Sequence, residues 1–235
     1  MVSRIVKDAD ERRVELLDTA VALFAERGYD NTSVQAITDT VGIAKGTFYH
    51  YFRSKDDLLA QLAVHVADRM LGEIRRRLDQ QGGTAKEKLA FLVGDTAQAK
   101  MEMSGVTLPM ARFYYRPENQ AEMSRYTGQF MDRVRSLFVE VIEQGMAEGS
   151  FHVDDPGLTA DILLGLLVGL GQRFAPAVTS LEGGTAAVHA FISVMEAFEQ
   201  AAGRILGVPD GDLVLYDKER LTAAITAAVS KEALE

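Results

Sequence analysis

Residues 32–59 read TSVQAITDTVGIAKGTFYHYFRSKDDLL. Thr32 with Gln35 three positions on forms a capping box: the hydroxyl accepts from the third amide of a helix while the Gln side chain reaches back to the cap amide. The helix starting there carries Val34, Ile37 and Val41 on one face, and Gly42 breaks it. A second short helix follows from Lys45 to Tyr51, with Phe48 and Phe52 on one face. Ser54 with Asp57, ahead of Leu58, Leu59 and Leu62, caps a further helix expected to run to about Gln80. Two short helices about a glycine turn, the second rich in aromatic and basic side chains, describe a helix-turn-helix that offers its second helix to the major groove of DNA.

The helical wheel sorts that second helix. With Phe48, Tyr51 and Phe52 turned to the core, the opposite face presents Lys45, Gly46, Thr47, Tyr49 and His50. Glycine inside a helix costs roughly 1 kcal/mol against alanine, so Gly46 needs a reason. A missing side chain there lets the helix approach DNA closely.

Upstream, Val14, Leu17, Val21 and Phe24 recur at helical spacing among Arg12, Arg13, Asp18 and Glu26, and Gly28 is placed to end that helix in a left-handed conformation. Downstream every strong signal is helical. Tyr126, Phe130, Val134, Leu137 and Val141 line a long helix between Pro117 and Gly149, and Pro156 opens another that Pro176 is expected to close. Phe191, Met195, Phe198, Ala202 and Ile205 give a further stripe, and Leu221 to Val229 a terminal helix. No alternating strand pattern appears. The expected fold is all-α: a three-helix N-terminal head over residues 1–54, joined by the long helix to a larger helical body over 55–235.

The 235 residues are 47% apolar and carry 25 Lys+Arg against 34 Asp+Glu, which excludes disordered and fibrous classes. Cysteine is absent, so disulfides, thiolate metal sites and cysteine nucleophiles are excluded together. Residues 1–10 lack an apolar core of signal-peptide length, and the longest apolar run, Ile162 to Gly171, is about half a membrane span, so a cytoplasmic protein with no membrane association is expected. A net charge of −9 argues against nucleic acid until its placement is considered. Thr40 to Lys55 holds Lys45, Arg53 and Lys55 and no carboxylate, a basic island in an acidic protein.

The run from turn glycine through Ile-Ala-Lys-Gly-Thr-Phe-Tyr-His-Tyr-Phe to Ser-Lys-Asp-Asp-Leu-Leu, preceded by a helix ending in Phe24-Ala-Glu-Arg-Gly28-Tyr29, resembles the DNA-binding domain of the TetR family of transcriptional regulators. The resemblance covers about the first 60 residues. It implies that Thr32 and Thr47 help bind phosphate or bases, that Lys45 and Gly46 lie at base edges, that Tyr49 and His50 contact the backbone, and that Lys55 reaches a phosphate. Ala44 departs from the pattern, since the family often places a capping Ser there, which weakens the cap of the recognition helix.

No catalytic constellation follows. His65, His152 and His189 are isolated, so no metal site, no cofactor and no enzymatic activity are expected. Ile162 to Leu170 is apolar nearly all round and must be covered on more than one side, which points to subunit association. In relatives of this resemblance two long helices form a four-helix dimer interface, here matching about 157–175 and 185–206; Leu167 and Phe198 are its expected test positions. Met103, Met110, Phe113, Tyr114, Tyr126 and Phe130 belong to a Met- and Tyr-rich set that suits an apolar cavity for a hydrophobic or aromatic small molecule, though core packing also explains them. The sequence thus describes a regulator that binds an operator as a homodimer and is released by a small effector. The alternative is a DNA-binding dimer with a filled core and no inducer.

Overall fold

The computed structural model describes residues 8–102, 106–107, 110, 120–180 and 185–232, and these contain helices and no strand. In chain order the helices are α1 (Ala9–Arg27), α2 (Val34–Val41), α3 (Lys45–Tyr51), α4 (Lys55–Gln81), α5 (Ala85–Ala90), a π turn (Phe91–Asp95), α6 (Thr96–Glu102), α7 (Gln120–Glu148), α8 (Pro156–Ser180), α9 (Thr185–Ile205) and α10 (Lys218–Glu232). The all-α fold expected from the sequence is the fold observed.

In α1 the buried face is Leu16, Leu17, Ala20, Leu23 and Phe24, while Val14 is 44% exposed. The apolar stripe is therefore centred one residue away from the Val14–Leu17–Val21–Phe24 row, because Leu16, Ala20 and Leu23 form a second row beside Leu17 and Phe24. Gly28 ends α1 at φ 79°, ψ 159°, a positive φ but an extended ψ rather than the left-handed helical turn expected. Gly42 ends α2 at φ 76°, ψ 38°, and its amide donates to the Thr38 carbonyl at 2.9 Å, which closes the helix in the left-handed manner glycine permits.

Thr32 does not cap α2. The cap is Ser33, whose hydroxyl accepts from the Ala36 amide at 3.1 Å, while Gln35 donates to Asp39 within the helix instead of reaching back. Ser54 caps α4 as expected, accepting from the Asp57 amide at 3.0 Å, and Asp57 in turn accepts from the Arg53 amide. α8 runs through Pro176 to Ser180: a proline within the last turns withholds one amide without ending the helix.

Two apolar cores form along α4. The head core unites α1, α2 and α3 with Leu58, Leu59, Leu62 and Val66 of α4, and Val106 is buried in it. The body core takes Leu71 of α4 together with residues of α5, α7, α8, α9 and α10, among them Leu89, Phe138, Ile142, Leu163, Phe198 and Leu221. Met70 packs partly on the head core and Leu71 is buried in the body core, so the two meet inside α4, past the boundary between residues 54 and 55 that the sequence suggests. Ion pairs surround that junction: Asp18 of α1 accepts from Arg69 at 2.7 Å and meets His65 at 2.9 Å, and Asp68 pairs with Arg133 of α7. Gly94 in the π turn is where the C-terminal segment crosses, since a Cβ there would lie 2.1 Å from the Leu215 carbonyl oxygen.

Candidate nucleic-acid interface

The recognition helix α3 is held by two rings. Phe48 and Phe52 are 0% and 1% exposed, with ring centroids 5.4 Å apart, and they fix the rotation of α3 about its axis. That rotation leaves Lys45, Gly46, Tyr49 and His50 exposed on the other side, with Tyr49 at 51%. Tyr51 packs on the head core in part, as the wheel requires. Thr47 is half-buried, its amide donating to the Ala44 carbonyl at 2.8 Å. Ala44 stands at the N-cap with no side-chain bond, so the first amides of α3 lack the acceptor a serine would supply.

The surroundings of Gly46 support the role given to it. A Cβ built there meets nothing within 4 Å, so nothing inside the protein requires glycine. A close external surface is the remaining physical reason for tolerating the propensity cost. Gly46→Ala is expected to raise the stability of the head by up to about 1 kcal/mol while weakening operator binding, checked by thermal melting alongside a gel shift.

Two of the expected contacts are placed differently. Thr32 is fully buried, and its hydroxyl donates to the Gly28 carbonyl at 2.7 Å, so the side chain braces the turn after α1 and is not presented to a phosphate. Lys55 turns back under the same turn: its ammonium donates to the Tyr29 carbonyl at 2.6 Å and the Thr32 carbonyl at 3.0 Å and lies 4.0 Å from the centre of the Tyr29 ring. Burial holds its ammonium below the usual lysine value, against the pull of Asp30 and Asp56. Arg53, which the sequence counted in the basic island without a role, is exposed just past α3. So the outward cations of the head's basic island are Lys45 and Arg53, with His50 beside them.

Of the residues expected around a small molecule, Met103, Phe113 and Tyr114 lie outside the described residues, and Tyr126 falls within α7. Phe130 packs partly on the body core, whereas Met110 packs partly on the head core. Among the described residues no group of three or more His, Asp or Glu is arranged to hold a metal ion, and no helix is long and apolar enough to cross a membrane.

A recognition helix exposed above an aromatic core, on an all-helical body, is the architecture of a helix-turn-helix transcriptional regulator. Residues 16–62 match the family model of bacterial regulatory proteins, tetR family, and residues 82–177 that of the tetracyclin repressor-like C-terminal domain. The chain is 33% identical over 144 residues to the HTH-type transcriptional repressor KstR2 of Rhodococcus jostii, an overlap covering 61% of this chain and 69% of the relative. This chain belongs to the TetR family of transcriptional regulators. Among solved structures it is similar in fold to the regulator FadR from Bacillus subtilis in complex with stearoyl-CoA: TM-score 0.52, 21% identity, 79% of this chain and 96% of that one. A transcriptional regulator from Saccharomonospora viridis in complex with choline is similar too: TM-score 0.54, 21% identity, 81% and 96% covered.

Proposed function

We propose that this protein is a cytoplasmic repressor that binds a palindromic operator as a homodimer and leaves it when a small hydrophobic or aromatic molecule binds the body. The observation that carries the reading is the exposed face of Lys45, Gly46, Tyr49 and His50 above the buried Phe48 and Phe52. Repression is the activity in the name of the Rhodococcus jostii relative, and small-molecule response is supported by the two solved complexes. Those complexes hold chemically different molecules, so the effector class proposed here rests on this chain's own Met- and Tyr-rich set.

Dimerisation is supported by α8, whose Leu158, Ile162 and Val168 are 62%, 53% and 42% exposed. An apolar row of that kind on a monomer is a surface soluble proteins avoid. Met110 packs partly on the head core and Phe130 partly on the body core, so a molecule bound against both would couple the two. Such a molecule changes DNA affinity only through a difference in its own affinity for the two conformers.

The test is selection of bound sequences from a random DNA pool. It should return a palindrome whose half-sites sit about one helical turn apart, roughly 34–36 Å, with affinity falling steeply as salt rises. Recovery of no palindrome at low salt overturns the reading. For the effector, saturating operator should weaken its binding by the same factor as it weakens operator binding, about 5- to 150-fold; equal affinity in both states leaves the filled-core regulator.

A further inference from the structure

α4 begins with a lysine at the position where a helix is least hospitable to one. The first turn of a helix carries partial positive charge, which Asp56 and Asp57 complement and Lys55 opposes. The structure resolves the conflict by folding the side chain away from the helix end and under the turn between α1 and α2. An ammonium has three donors. Two are taken by the Tyr29 and Thr32 carbonyls, at 2.6 and 3.0 Å, and the Tyr29 ring stands 4.0 Å away on a further side.

Tyr29 ties these contacts together. Tyr29 sets its ring edge-on to Phe24 of α1, centroids 5.0 Å apart, and its hydroxyl donates to Asp56, the residue next to Lys55. Thr32, whose carbonyl Lys55 holds, immediately precedes Ser33, the cap of α2. One side chain thus pins the first turn of α4 to the residue that launches the helix-turn-helix.

We propose that Lys55 is a positioning residue for operator recognition: it locks the entry of α2 to α4 and does not itself neutralise a DNA phosphate. This deepens the DNA-binding reading above and rests on it. Through this latch a displacement of α4 carries α2, and α3 behind it, as one body.

The salt dependence of binding separates the latch from a phosphate contact, because each phosphate neutralised adds about 0.9 to the slope of log affinity against log salt. Lys55→Met and Lys55→Arg are compared with the wild type for binding to the selected operator across salt concentrations. Hydrogen exchange of the segment 29–37 is followed in the free proteins. The latch requires both variants to lose operator affinity roughly tenfold or more. It also requires the Lys55→Met slope to stay at the wild-type value and exchange in 29–37 to speed up. Wild-type affinity in Lys55→Arg, which keeps the charge a phosphate wants, overturns the proposal. So does a slope reduced by about 0.9 for each lysine removed. Should the wild type select no operator, the DNA-binding reading falls, and the latch is still decided by exchange: unchanged protection of 29–37 in both variants refutes it. If Lys55→Met does not fold, Lys55→Arg alone carries both readouts.

Discussion

Tyr49→Ala should abolish or greatly weaken operator binding and leave the protein folded, whereas Phe48→Ala, one residue away, should unfold the head. Phe48 is fully buried, in contact with the Phe52 ring, and truncating it opens a cavity at a cost of about 3–5 kcal/mol. Tyr49 is 51% exposed and loses one edge contact with the Phe48 ring, centroids 5.4 Å apart, worth at most about 0.5–1.5 kcal/mol. Lys45→Ala should behave like Tyr49→Ala, since Lys45 is exposed on the same helix. Thermal melts with gel shifts on the same samples check all three. A Tyr49→Ala protein that melts like Phe48→Ala would show that the rotation of α3 is wrong.

In the proposed homodimer, Ile162→Asp should separate the subunits and thereby lose most of the operator affinity. Ile162 is 53% exposed in the middle of the apolar row on α8, so in the single chain the new carboxylate stays in water and the body remains folded. In a symmetric dimer two copies of the patch meet, and each buried carboxylate would be left unpaired. A half-site bound by one head then lacks the gain that comes from tethering a second. Light scattering and a gel shift read the outcome; a dimer of unchanged strength means another surface joins the subunits. Phe198, which the sequence offered beside Leu167 as an interface position, is a different case. It is 1% exposed within one chain's core, so Phe198→Asp should unfold the body rather than separate subunits. Leu167 is half-buried against the same core and is the less informative site of the two helices' apolar residues.

The head was legible because its signals are local. Gly42, the Ser54 cap and the aromatic spacing of α3 each act within one or two turns, and all three stand where the pattern put them. What the pattern missed depends on contacts far apart in the chain. Thr32 and Ser33 are equally able to cap a helix by residue type; the turn after Gly28 decides between them by folding Thr32 inward onto the Gly28 carbonyl. The direction of the Lys55 side chain is set by carbonyls 23 and 26 residues upstream, which no spacing rule reaches. In the body, α5, the π turn and α6 have six, five and seven residues, and none carries a spaced aromatic pair of the kind that marks α3. Thr84 and Glu87, which open α5, carry the same residue spacing as Thr32 and Gln35, and there both bonds of the capping box form.

The division of α4 between two cores bears on how such regulators are recombined to give new DNA specificities. A hybrid joined between Ser54 and Lys55 would set Leu58, Leu59, Leu62 and Val66 against a foreign set of head helices, in a close-packed interior that tolerates few changes of shape. It would also part Lys55 from Tyr29 and Thr32. A joint between Met70 and Leu71 moves those four side chains, and Met70, with the head they pack on, and among the described residues leaves Val106 and Met110 of the body to be matched.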